Sequence, residues 1–277
     1  MAVATFGLLS ALSWGAADFA GGVASKRNSA LTVVFWSQLI GGLVAAAIAL
    51  ARGETGVPSA DLIWVVLAGL VGPTALVFFY RGLAAGRMGV VAPIAGVLGA
   101  GIPVVVGGVL DGVPAPGQLA GIVVALVSVL LVTRSSEPAP GIDRGVTHAV
   151  VAGIGFGLFF VFLGRVGPGA VFAPLVVVRL VATGLLACVV LLSHGTWRLA
   201  RPTYGVVLVS GALDMGGNLW FHLAAQQGRI DIASVLSSLY PVVTIVLAAA
   251  VLRERIGRVQ AVGIGAAVIA IVLIAAG

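Results

Sequence analysis

Three ionisable side chains stand inside long apolar stretches of this sequence: Asp18, Arg179 and Asp214. A charge in hydrocarbon is costly, so such residues face a bundle interior or a water-filled cavity and mark solute pathways. At about 1.5 Å of rise per helical residue, Asp18 stands about 12 Å in from Lys26. Asp214 stands about 16 Å deep by the same measure, and Arg179 a similar distance in from the opposite side. All three depths fall in the middle of a hydrocarbon core about 30 Å thick. A lone arginine there needs a partner, so Arg179 and Asp214 are expected to pair and to line or close a central cavity. The competing role for the pair is a lock between two helices. For Asp18 the competitor is snorkelling toward Lys26.

Neutral polar residues extend these positions into stripes. Asp214, Asn218 and His222 recur at i, i+4 and i+8, one face of a helix. Ser10, Trp14 and Asp18 make a similar stripe, and Gln38 lies at comparable depth. Either stripe could be a wall facing a solute or a polar helix–helix seam. Trp14, Trp36, Tyr80, Trp220 and Tyr240 could stack on an organic molecule, although aromatic rings also form interfacial belts.

Other chemistries find little support. Cys188, His148 and His194 do not combine into a ligand set, so no metal is expected. The glycine-rich runs lack the Lys-Ser/Thr of a phosphate loop, and Lys26 is the sole lysine. No hydrolase-like order of Ser, His and Asp is visible, so neither an enzyme nor a cofactor is expected. The net charge of +6 comes from residues scattered between apolar runs, which argues against nucleic acid as a partner.

The elements that must position these residues are membrane helices. Of 277 residues, 60% are hydrophobic and 9% charged, with mean hydropathy +1.20; soluble domains carry about 25% charged residues. Polar clusters cut the chain into ten apolar spans, at 3–24, 30–51, 62–80, 88–110, 117–133, 146–164, 170–192, 203–223, 230–252 and 258–276. Each suits a bilayer crossing. The polar stretch 134–145 divides them into five and five, residues 1–133 and 146–277. Shifting the first half by 142 residues places Gly86-Arg87 on Gly228-Arg229 and Gln118 on Gln260. An odd number of spans per repeat inverts the second copy, a recurring transporter design. Pro93, Pro103 and Pro241 are the expected helix bends. Loops after odd-numbered spans hold eleven Lys and Arg residues and those after even-numbered spans three. Positive residues favour the cytoplasm, so both termini are expected outside.

These residues resemble the EamA type of the drug/metabolite transporter superfamily. The resemblance rests on Trp14-Gly15, Tyr240-Pro241, the turn Leu252-Arg253-Glu254, and Gln260 with Gly263. The first half departs from it, with Leu110-Asp111-Gly112 at the matching turn, so glycine stands where the second half has Glu254. The resemblance implies an all-α polytopic protein of ten helices in two inverted five-helix repeats, acting as a metabolite transporter and often an exporter. The expectation is therefore a secondary transporter of the cell membrane, a monomer or homodimer, whose partners are the bilayer, a small solute and protons titrating Asp18 or Asp214. A zwitterionic or neutral metabolite such as an amino acid is the expected solute. The alternative is an integral membrane protein that transports nothing, as a membrane enzyme or an assembly subunit.

Overall fold

Apolar residues dominate every long segment, and in lipid a backbone must satisfy its own hydrogen bonds, which a helix does within one segment. The computed structural model describes residues 2–54, 56–84, 88–110, 112–132, 142–227, 229–252 and 257–276, and among these no strand occurs. The helices are α1 (Ala2–Ser25), α2 (Ala30–Ala51), α3 (Ser59–Ala84), α4 (Met88–Leu110), α5 (Pro116–Val132) and α6 (Ile142–Gly164). They continue with α7 (Phe172–Leu192), a 3₁₀ turn (Arg201–Thr203), α8 (Tyr204–Gln226), α9 (Ile230–Ser237), α10 (Tyr240–Leu252) and α11 (Arg258–Ala276).

Among the described residues, six segments are long and apolar enough to cross a membrane: α1, α2, Ser59–Gly82, Thr147–Gly164, α7 and Ile230–Val251. Ala95–Leu110, Pro116–Leu131 and Arg258–Ile274 are apolar but shorter. Helix α8 is long enough, and its Asp214, Asn218, His222 and Gln226 dilute its hydropathy. The protein is thus a helical, multi-pass membrane protein. Helix α6 begins at Ile142, inside the stretch read as a polar connection. Residues 134–141, Gly86-Arg87, Asp111, Gly228 and the Arg253-Glu254-Arg255 cluster lie outside the described residues.

The segment expected as one span at 230–252 is two helices. The chain turns at Ser238 and Leu239, where Leu239 N–H reaches Leu236 O at 3.2 Å and Val242 N–H reaches Leu239 O at 3.0 Å. Pro241 has no N–H to give, and it sits at the start of α10, where that donor would have no intrahelical partner. Pro103 is a buried residue within α4, and Pro93 belongs to the same helix.

Neighbouring elements pair across the two halves. Helix α1 lies along α8, α2 along α7, α3 along α6, and α5 along α11. Helix α4 packs on α6, and α9 with α10 on α1. Two glycines make the closest of these contacts possible. A Cβ on Gly15 would lie 2.5 Å from Val243 Cβ and 2.6 Å from Tyr240 O, so α10 can seat on α1 only without one. At Gly217 the same added atom would run into the Trp14 indole.

Candidate functional site

Helices α2, α7 and α8 bring one charged triangle together. Arg179 is almost wholly buried, and its Nη1 donates to Asp214 Oδ2 at 2.6 Å and to Gln38 Oε1. Gln38 Nε2 also donates to Asp214 Oδ2, at 3.3 Å. Removing charges from water costs several kcal/mol per ion, and only good geometry with further hydrogen bonds offsets it. The amide of Gln38 supplies those bonds, bridging acid and base. Arg179 Nε and Nη2 have no hydrogen-bond partner among the described residues. A Cβ on Gly41 would lie 3.3 Å from Arg179 Cζ, so the guanidinium is set against α2.

Helices α1 and α8 meet through their polar stripes. Trp14 Nε1 donates to Asn218 Oδ1 at 3.0 Å, Ser10 Oγ to Gly217 O at 2.9 Å, and Ser210 Oγ to Ala17 O at 3.0 Å. These bonds satisfy hydroxyl, indole and amide groups that would otherwise be stranded in an apolar bundle. The two stripes therefore meet in a seam, which opens where Trp14, Asp18, Asp214 and Asn218 also face a void. Asp18 accepts from the Tyr80 hydroxyl of α3 at 3.3 Å.

Where the seam opens there is a cavity of about 60 Å³. On the measure by which one water takes about 10–15 Å³, it has room for a small organic head group. Trp14, Asp18, Gln38, Asp214, Asn218 and Tyr240 line it. Gly72, Pro73 and Leu76 of α3, Phe156, Phe159 and Phe160 of α6, and Val178 of α7 complete the wall. The rings interlock: Trp14 lies 5.4 Å from Phe160 and 6.4 Å from Phe159, centroid to centroid, while Tyr240 meets Phe79 edge-on at 6.3 Å.

Six of the eight residues expected at the cavity therefore share one wall. Arg179 stands behind it, acting through Asp214 and Gln38. His222 lies elsewhere, fully buried near the end of α8 with its Nε2 2.9 Å from Gln226 Nε2. Trp36 donates to Trp197 O at 2.8 Å, and Trp220 stacks on Phe6 at 5.9 Å, so neither ring is on the wall. Pro103 and Pro241 are not among the lining residues, though Tyr240, beside Pro241, is; the Pro93 side chain lies outside the described residues. The candidates picked from the sequence did not include the wall residues Gly72, Pro73 and Leu76 of α3 or Phe156, Phe159 and Phe160 of α6. A signal for α6 was present: Phe156, Phe159 and Phe160 recur at i, i+3 and i+4, one helical face.

One acid at a helix end also escaped notice. Glu54, after α2, takes the backbone N–H groups of Phe172 and Ala173 at 2.6 and 3.0 Å, and so caps α7 from a distance. Burial by itself pushes its carboxyl up. The N–H groups of Ala173 and Phe172, with Arg52, outweigh that and hold it below the ordinary glutamate value.

Comparison with known proteins places this geometry. The sequence profile of the EamA-like transporter family matches residues 1–134 and again residues 143–276. No curated protein matches the chain. A solved structure described only as "Crystal structure of protein" is similar with a TM-score of 0.79 at 18% identity, over 98% of this chain and 96% of its own. At that identity the likeness is one of fold.

Proposed function

The chain belongs to the EamA-like transporter family, and on that premise we propose that it is a secondary transporter working by alternating access. In this reading residues 1–133 and 146–277 are inverted five-helix repeats joined by the connection 134–145, and the cavity between them is the solute site. One observation carries it. Within a bundle of apolar helices, Asp18, Asp214, Gln38 and Asn218 converge on a single aromatic-walled cavity. A bundle with a purely structural role has no reason to bear the cost of burying those groups around a void.

The neighbour pattern supports the repeat. If α1–α5 correspond in order to α6, α7, α8, α9 with α10, and α11, then the α1–α8 contact is the image of α6–α3. The α2–α7 and α5–α11 contacts are their own images. A pseudo-two-fold between the halves produces that arrangement, and solute sites of such transporters lie near the midplane where the halves meet. The interruption at Ser238–Leu239 supports a moving part, because it puts a joint beside the cavity residue Tyr240. The solutes are small organic metabolites, of which amino acids are one instance, and the direction is export. The protein sits in the cell membrane with both termini outside, and Asp18 or Asp214 couples transport to protons.

Proteoliposome counterflow is the test. Vesicles preloaded with a pool of amines, amino acids, sugars and nucleosides should accumulate a labelled member of the transported class. Asp18→Asn or Asp214→Asn should abolish the acceleration by an imposed pH gradient. Absence of counterflow for every class, with folded protein in the vesicles, overturns the transporter reading. Gradient dependence that survives both substitutions removes proton coupling alone.

A further inference from the structure

We infer that the cavity is built for a solute carrying one positive charge, an organic ammonium with an apolar or aromatic body. This rests on the transporter reading and narrows its solute class. The acidic groups on the wall are Asp18 and Asp214, and among the described residues the wall bears no basic side chain. Their situations differ. Asp214 is answered by Arg179 at 2.6 Å, so that pair is neutral. Asp18 receives only a hydrogen bond from the neutral Tyr80 hydroxyl at 3.3 Å. Lys26, the sole lysine of the chain, stands beyond the end of α1 and off the wall. An ionised Asp18 thus leaves the cavity one positive charge short of balance.

The remainder of the wall suits the same ligand. Trp14, Phe156, Phe159, Phe160 and Tyr240 surround the void, and the negative faces of aromatic rings attract ammonium groups, more strongly once both are out of water. The buried Tyr240 hydroxyl has no hydrogen-bond partner among the described residues. A carboxylate on the solute would fare badly here. The one guanidinium in reach gives Nη1 to Asp214 and Gln38, and its unpartnered Nε and Nη2 are buried behind them, off the wall. A zwitterion would find its ammonium matched and its carboxylate facing Asp18, Asp214 and ring faces. An amine without that carboxylate is the better fit, contrary to the amino acid expected from the sequence.

The protein in lipid nanodiscs should be titrated with phenethylammonium, phenethyl alcohol, phenylacetate and L-phenylalanine, one ring with four charge patterns. Trp14 on the wall supplies a fluorescence readout, with calorimetry as its check. The amine should bind at least tenfold more tightly than each of the others, and Asp18→Asn should cut its affinity at least tenfold with little effect on the alcohol. Equal or tighter binding of the alcohol, the acid or the zwitterion overturns the inference, as does no binding of the amine. The wild-type series decides this alone should Asp18→Asn fail to fold. Counterflow separates the two readings. Transport of phenylalanine but not the amine sinks the charge assignment and leaves the transporter. Amine binding without movement of any solute sinks the transporter and leaves the site.

Discussion

Arg179 is the residue on which the site's electrostatics turn. It is 1% exposed and shares one nitrogen between Asp214 and Gln38. Its removal leaves the Asp214 carboxylate without a counter-charge in an apolar bundle. Breaking a buried pair from one side costs about 3–5 kcal/mol, whereas replacing both partners with apolar residues is often neutral. Arg179→Met should therefore lower the melting temperature in detergent steeply, and Arg179→Met with Asp214→Leu should recover most of the loss. Scanning fluorimetry of the two singles and the double forms the cycle. A double variant no better than the worse single would show that the pair is not a closed unit. Neither Arg179→Met nor the double variant should transport, because the first leaves the wall's Asp214 without its counter-charge and the second removes Asp214 from the wall.

Among the elements, α7 depends on a residue from outside itself. Val171, at its start, offers no capping side chain, so Glu54 satisfies the first N–H groups instead. A negative charge there also meets the positive end of the helix dipole. Glu54→Gln keeps an acceptor and loses the charge, which should cost about 1 kcal/mol, in the range of capping losses. The sign of the pH dependence follows from the depressed folded-state value. Unfolded glutamate titrates near about 4.3. The stabilisation is whole above that pH and disappears as pH falls through the lower folded value. Thermal melts of wild type and Glu54→Gln should differ at pH 7 and converge near pH 3; a gap that widens in acid would contradict the charged cap. Glu54 also ties the 2–3 connection to α7, so the same variant should loosen that end of the bundle.

For the whole molecule, orientation follows from charge that no single helix carries. The proposed orientation, with the odd loops in the cytoplasm, rests on eleven basic residues on the odd loops against three on the even loops. A Cys188→Ser background removes the only native thiol. Single cysteines at Gly56, between α2 and α3, and at Arg198, between α7 and α8, are both exposed. Membrane-impermeant maleimide applied to intact cells should label the first and spare the second. The reverse pattern would place both termini in the cytoplasm.

Helical segments, and the chain's halving near residue 140, were legible in the sequence because each is local. Apolar length and a polar interruption need no knowledge of neighbours. Depth along a helix is equally local, which is why Asp18, Gln38, Arg179 and Asp214 could be picked out at comparable depth, and Asn218 by its i+4 spacing from Asp214. Three things needed the tertiary structure. A bend near Pro241 was expected from the sequence, but that it takes the form of two helices, parted at Ser238 and Leu239, was not. The α3 and α6 contributions to the wall depend on which faces meet, and α6 offers glycines as well as phenylalanines on its turns. His222 shares the stripe of Asp214 and Asn218, yet that stripe runs past the cavity into the α8 terminus. Spacing along a helix determines which side chains share a face. Only the packing of the other helices decides where along that face a void is left.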